Sequence, residues 1–200
     1  KANEESKERI NFVQNLINKT KEALSKDNNF IIDVKAKTVS RLMINTANGL
    51  GHTVFEVGIA FHPIFNLPYI PSSSIKGSLR SYIHFNNEEE ERKIFGSQEK
   101  IGHLIVLDAF PSNFNESLLE ADVTTPIYAE NIEEHKAKPT PIIYPCIAKD
   151  VTFRFVIGIS NRIDENLRRE LKNKVTDYFF KMAEYGIGAK TLLGYGVFER

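Results

Sequence analysis

Residues 184–200 read EYGIGAKTLLGYGVFER, and the chemistry this stretch could do is anion binding. Gly186, Gly188, Gly194 and Gly196 bracket Lys190 and Thr191. Glycine lets a backbone approach a ligand without interference from a Cβ, and consecutive backbone N–H groups can cradle an anion. The run Gly186-Ile-Gly-Ala-Lys190-Thr191 imitates a nucleotide loop. That loop needs Gly, not Ala189, before Lys-Thr, and must follow a strand and open a helix. Here the segment before it is helical in pattern and the segment after it reads as a strand, so the context argues against an NTPase site. Two readings remain open. The glycines let a helix turn into a strand, or their amides stay free for phosphate.

The second anion-binding candidate is PSSSIKGSLR, residues 71–80. Pro71 and three serines announce a helix start, where unpaired N–H groups and the positive dipole end accept phosphate. Ser72, Ser73 and Ser74 can cap the first turn. Lys76 and Arg80, four apart, share a face. Ser73, Gly77 and His84 lie beside that face. Gly77 costs a helix about 1 kcal/mol relative to Ala, which predicts that something packs close to its backbone. The alternative is that the serines only cap and that both cations are solvated. If the helix and the glycine loop meet, Ser73, Lys76, Arg80 and Lys190 surround one glycine-lined groove.

These segments must be positioned by the elements around them. Residues 4–26 predict an amphipathic helix, with Ile10, Val13, Leu16, Ile17, Ala23 and Leu24 at helical spacing. In 28–45, Ile32, Val34 and Ala36 alternate with charged residues as in a strand, and 54–61 is a second strand candidate. Helices follow at 68–85 and over EEEERKIFG, the latter closed by Gly96. Strands are predicted at 101–110, 150–160 and 194–199. A long helix spans 164–186, capped by Asp164, with Leu167, Leu171, Val175, Tyr178 and Met182 as its stripe and Gly186 as its stop. Residues 111–145 hold five of the eight prolines and show little periodicity, so they read as an irregular insertion. The order predicts an α+β chain with a ferredoxin-like (RRM-like) βαββαβ domain. It divides into an N-terminal helix (1–27), a core (28–110 and 146–200) and the insertion.

The whole is one domain of 200 residues, 42% hydrophobic, enough for a sizeable core. Lys+Arg and Asp+Glu are equal at 26 each, so any nucleic-acid binding must come from a local patch or from partner subunits. The single Cys146 excludes an internal disulfide and a Cys-rich metal site, which fits a reducing cytoplasm. No apolar run is long enough to span a bilayer, and no signal peptide is visible.

The residues carry a resemblance. LPYIPSSSIKGSLR resembles the Pro-Gly-Ser-Ser-hydrophobic-Lys-Gly-x-hydrophobic-Arg motif of RAMP proteins, and GIGAKTLLGYGVF resembles their C-terminal glycine-rich loop. NGLGHTVFEVGIAFHPIFNLPYIP, LDAFP, DVTTPIY and KPTPIIY are similar to segments of the sixth subunit of type III-B (Cmr) effector complexes, from about residue 41 to 200. Ser72 stands where the motif usually has Gly, and Ile127 where that subunit family often has His.

The resemblance implies a ferredoxin-like, cytoplasmic RNA-binding subunit that needs no cofactor or metal. It would hold a CRISPR RNA near its 3′ end beside the repeating backbone subunit, the small helical subunit and a capping RAMP subunit, with target RNA as a further possible partner. It assigns RNA contact to Ser73, Ser74, Lys76, Gly77 and Arg80, and to Gly186, Gly188, Lys190, Thr191, Gly194 and Gly196. These would bind phosphate and sugar without reading sequence, as a variable guide requires. The N-terminal helix and the insertion are candidates for subunit contacts, although an ordinary helix packed on its own domain explains the first equally well. Related RAMP proteins cleave RNA with a histidine or with an aspartate in the loop after the first strand. The matching loop, NTANGLGHT, has no carboxylate, and His52 is its titratable group near neutral pH. A non-catalytic subunit is the preferred reading; a metal-independent endoribonuclease using His52 is the alternative. His62, before Pro63, is a further candidate but falls in a pattern that reads as a strand end; Asp108 sits at a strand end and could bind a metal but has no second carboxylate at ligand spacing; His103 and His135 have no evident partners.

Overall fold

The computed structural model describes residues 2–27, 29–44, 57–83, 88–125 and 141–200. Four helices and nine strands are present among them: α1 (Ala2–Lys26), β1 (Phe30–Thr38), β2 (Phe61–His62), β3 (Leu67–Pro68), α2 (Ser72–Tyr82), α3 (Glu88–Phe95), β4 (Leu104–Val106), β5 (Phe110–Phe114), β6 (Leu119–Thr124), β7 (Ile142–Ile147), β8 (Val151–Ile159), α4 (Glu165–Tyr185) and β9 (Phe198–Glu199). The fold is α+β with antiparallel sheets. The main sheet has the order β4-β8-β1-β9, and β5 extends the β4 edge along β8.

Two periodicities build the core. In β1, Ile32 and Ala36 are buried while Asp33 and Lys35 are exposed. Val151, Phe153, Phe155, Ile157 and Ile159 line the same sheet face, where Phe155 meets Phe179 of α4 at 4.9 Å between ring centroids. On α4, Leu171, Val175, Phe179, Met182 and Ala183 are buried. The helix starts as its sequence predicts. The Asp164 carboxylate accepts from the N–H groups of Asn166 and Leu167 at 3.0 and 3.3 Å. It stops at Gly186, whose φ of 108° suits a residue without a Cβ.

The N-terminal helix packs on its own domain. Ile10, Val13 and Ile17 of α1 are buried, and the helix lies on the sheet face opposite α4. Between α1 and that face the Arg154 guanidinium is held on both sides. It donates to the Asp33 carboxylate at 2.8 and 2.7 Å, and to Gln14 and Asn18 of α1 at 3.2 and 2.8 Å. These bonds hold Asp33 at a pKa of about 2, with Lys21 at 2.8 Å adding to the effect against the opposing pull of burial.

Three expectations are corrected. The 111–145 segment is not irregular where it is described. Residues 110–114 form β5, and β6 and β7 form a hairpin in register from Leu119↔Ile147 to Thr124↔Ile142. Pro111 and Pro145 hid these strands, because proline is a strand-breaking signal in sequence yet is tolerated at edges and bulges; β5 shifts register next to Pro111. The last strand is also shorter than 194–199. Gly194 and Gly196 have φ of 84° and 72°, which strand geometry does not allow, and only Phe198–Glu199 pairs with β1. The serines do not cap α2, whose N-cap position is Pro71 without a side-chain cap bond. The strand candidate at 54–61 lies partly outside the described residues; within them only Phe61 begins a strand. Among the described residues no helix is long and apolar enough to cross a membrane.

Candidate nucleic-acid interface

The glycine loop follows α4 and folds back on itself through a three-residue 3-10 turn, Thr191–Leu193. Three of its four glycines are there because nothing larger fits. A Cβ on Gly188 would lie 2.2 Å from the Met43 carbonyl oxygen, and one on Gly196 2.0 Å from that of Ile187. One on Gly186 would meet the Tyr195 carbonyl at 2.8 Å and the Thr191 side chain at 3.1 Å. Gly194 has open space around it. Most loop amides are consumed internally. Ile187 donates to Gly196, Ala189 to Met43, Leu193 to Lys190, Gly194 to Thr191 and Gly196 to Arg41. Within the described residues, the amides of Lys190, Thr191 and Leu192 have no acceptor, because they form the first turn of the 3-10 segment. The free donors are therefore concentrated at the loop tip, where Leu192 and Leu193 are fully and 73% exposed.

Lys190 is not a loose cation. Its φ of 58° places it in the left-handed region. Its ammonium donates to the Tyr144 hydroxyl at 3.1 Å and lies 4.5 Å from that ring's centroid and 5.8 Å from that of Tyr195. The Tyr144 and Tyr195 hydroxyls are 3.2 Å apart, and Tyr195 donates to the Asp122 carboxylate. Arg41 closes the group with ion pairs to Glu120 at 2.7 Å and Asp122 at 3.3 Å. Burial pushes the Asp122 carboxyl up, but the bonds from Tyr195 and the Val123 N–H together with Arg41 outweigh it and hold it below its ordinary value. The hydrogen bond to Asp122, followed by that to Tyr144, drives the Tyr195 hydroxyl well above the usual tyrosine range. The cluster staples the glycine loop to the β6–β7 hairpin. Cys146, buried in that hairpin, is pushed up to about 12 by burial and the nearby carboxylates, so it is an inert thiol.

On α2 the predicted face forms, with a different start. The first free amide, that of Ser72, donates to the Asp108 carboxylate at 2.6 Å. Asp108 thus supplies from 36 residues away the cap that the serines do not, and a carboxylate occupies the place where a phosphate could bind the helix end. Ser73, Gly77 and Arg80 are exposed and Lys76 is half-buried. Burial, with Arg80 adding to it, lowers the Lys76 pKa. Arg80 pairs with Glu91 of α3 at 2.5 Å. Nothing lies within 4 Å of a Cβ placed on Gly77, so the close packing predicted there is absent and the bare backbone faces open space.

The two segments meet, but not through the residues the sequence suggested. Among the described residues no hydrogen bond or ion pair links Lys190 to Ser73, Lys76 or Arg80. Contact runs instead through α2 and α4, whose last residues, Tyr82 and Tyr185, stack at 5.7 Å between ring centroids. Neither tyrosine was singled out from sequence; the signal available was their place at the ends of the two helices flanking the motifs. His62 stacks on Phe65 at 4.3 Å within an aromatic cluster that includes Tyr69 and Phe110, and its Nδ1 accepts from the Phe65 N–H. His52, His84 and His135 lie outside the described residues.

The model of the RAMP superfamily matches residues 35–199. A CRISPR system CMR subunit Cmr6 from Saccharolobus solfataricus is 35% identical over 188 residues, covering 94% of this chain and 64% of the relative. The Cmr6 subunit of Pyrococcus furiosus is 25% identical, covering 81% and 66%. The chain thus spans about two thirds of the length of these curated relatives. A chain of the cryo-EM structure of a Type III-B Cmr-beta complex bound to cognate target RNA superposes with a TM-score of 0.83 at 37% identity, over 94% of this chain and 64% of that one. The crystal structure of Pyrococcus furiosus Cmr6 superposes with a TM-score of 0.50 at 22% identity, over 85% and 97%, a likeness of fold. By the family match over 35–199, together with these likenesses to Cmr6 subunits, the chain belongs to the RAMP superfamily.

Proposed function

We propose that this chain is a non-catalytic CRISPR RNA-binding subunit of a type III-B Cmr interference complex, acting in antiviral defence and holding the RNA backbone near its 3′ end. The observation that carries the reading is the likeness over 94% of the chain to a subunit of a Cmr-beta complex bound to target RNA. The strand order β4-β8-β1-β9, with α2 and α4 as the connecting helices, supports a ferredoxin-like core. Its neighbours would be the repeating backbone subunit, the small helical subunit and the capping RAMP subunit.

The residues supply fitting chemistry. Lys76, Arg80 and Lys190 offer positive charge, Ser73 and Ser74 offer hydroxyls, and the Lys190, Thr191 and Leu192 amides offer unpaired donors. All are suited to phosphate and sugar, and none is placed to select a base. Gly77 leaves room for a backbone to pass close to α2. Gly186, Gly188 and Gly196 serve by shaping the loop, and Gly194 by freeing its tip. The non-catalytic reading is supported by the structural duties of His62 and Asp108.

The test is CRISPR RNA retention in the assembled complex carrying Lys76→Ala with Arg80→Ala, with ultraviolet crosslinking to map this subunit along the RNA. Retention should fall whatever the guide sequence, and crosslinks should cluster toward the 3′ end. Unchanged retention, or crosslinks toward the 5′ end, overturns the assignment.

A further inference from the structure

We propose that Tyr185, stacked on Tyr82, is a platform on which one unpaired RNA base stacks, at the junction of the two RNA-facing segments. The inference rests on the RNA-binding reading and adds a base-contacting subsite to a surface otherwise built for phosphate.

Three observations carry it. First, Tyr185 is 67% exposed although it is a large aromatic residue on a helix with a continuous buried face. Its ring lies 23° from parallel with that of Tyr82, so one face is engaged, and among the described residues no ring or cation contact to its other face is present. Within the described residues neither hydroxyl has a hydrogen-bond partner, so polar anchoring does not explain the placement. An offset stack with a free outer face is the geometry that a third flat ring extends. Second, an exposed cation shares the helix stripe of Tyr185. Tyr178, Lys181 and Tyr185 fall at i, i+3 and i+7, on one stripe of the helix. The exposed Lys181 ammonium sits 5.0 Å from the Tyr178 ring centroid. Tyr178 packs against the core, so on this stripe Lys181 and Tyr185 are the exposed pair, a cation suited to the backbone beside a ring suited to a base. Third, Tyr185 adjoins the donors already described. It directly precedes Gly186, and Thr191, which offers one of the unpaired loop-tip amides, packs against Gly186. A phosphate at the loop tip and a base on Tyr185 would belong to the same short stretch of RNA.

Asp177 and Glu184 are exposed on the neighbouring face of α4 and keep the local charge mixed. The platform therefore acts by stacking, which every base can do, and gains little from long-range attraction. That matches a guide of variable sequence.

The purified chain is titrated into a single-stranded RNA oligonucleotide and into an abasic oligonucleotide of the same length, across a series of salt concentrations. Tyr185→Ala and Tyr185→Leu should weaken binding to the ordinary RNA about tenfold, within the roughly 5- to 150-fold range of base–aromatic stacks. Tyr185→Phe should bind like the wild type. The salt slope should not change, and all variants should bind the abasic RNA alike. A Tyr185→Leu variant that binds as tightly as the wild type overturns the proposal, as does a loss that persists on abasic RNA. If Tyr185→Leu instead impairs assembly with the other subunits and leaves RNA affinity intact, the face belongs to a protein partner and the platform is rejected. Failure of the underlying RNA-binding reading looks different, because Lys76→Ala with Arg80→Ala would then leave the salt slope of the wild type unchanged.

Discussion

At the scale of single residues, the glycines separate into those that shape the loop and those that leave space. Gly196→Ala would press a Cβ to 2.0 Å from the Ile187 carbonyl at a φ of 72°. It should cost about 3 kcal/mol in chemical denaturation, combining overpacking with backbone strain. Gly194→Ala, strained but unobstructed, should cost only about 1 kcal/mol. Gly77 behaves in the opposite sense. With open space around it, Gly77→Ala should stabilise the chain by about 1 kcal/mol. If RNA passes over the bare backbone there, the same change should weaken RNA binding, so stability and affinity move in opposite directions in one variant. Lys190 is bound to Tyr144 through one of its three donors, which leaves two for phosphate and fixes the direction in which they point.

At the scale of elements, the Arg154 cluster joins α1 to the sheet. Asp33→Asn removes the charge that satisfies a guanidinium only 9% exposed, and should destabilise the chain by about 2 kcal/mol near neutral pH. The pH dependence has a definite sign. The native pKa of Asp33, about 2, lies below its ordinary value of 3.8. Its contribution is therefore complete above about pH 4 and is lost as the pH falls toward 2. Denaturation midpoints across that window should drop for the wild type more steeply than for Asp33→Asn. The same helix covers sheet surface that an open four-stranded sheet with helices on one side would leave bare, so base stacking on that covered area is excluded. At the start of α2, Asp108→Ala releases the Ser72 amide and should cost about 1 kcal/mol, measured by thermal or chemical unfolding. Asp108 lies 36 positions from the helix it caps, so the capping rules, which look at neighbours, chose the serines.

At the scale of the whole molecule, equal numbers of basic and acidic residues leave no net positive charge to attract RNA, and the proposed function therefore assigns the affinity to three local cations, Lys76, Arg80 and Lys190. For single strands each contributes about 0.7 to the salt slope, so raising salt from about 50 to 200 mM should weaken RNA binding by the isolated chain about twentyfold. If several such subunits share one RNA in an assembled complex, as the proposed function has it, retention should be much less salt-sensitive. A flat salt response in the isolated chain would show that these cations do not contact phosphate. The sequence by itself determined the chemistry available and most of the elements. Local periodicity marked α1, α2, α4, β1 and β8, and Asp164 and Gly186 marked both ends of α4, because caps and amphipathic faces are written in neighbouring residues. It also marked the glycine loop and the Ser73–Arg80 segment. What only the tertiary structure decided is how those segments meet. Lys190 is engaged by Tyr144, 46 positions away, and Arg80 by Glu91 on the next helix. The helix and the loop join through Tyr82 and Tyr185, more than a hundred residues apart. Such contacts depend on how helices cross a twisted sheet, and no spacing along the chain encodes that crossing.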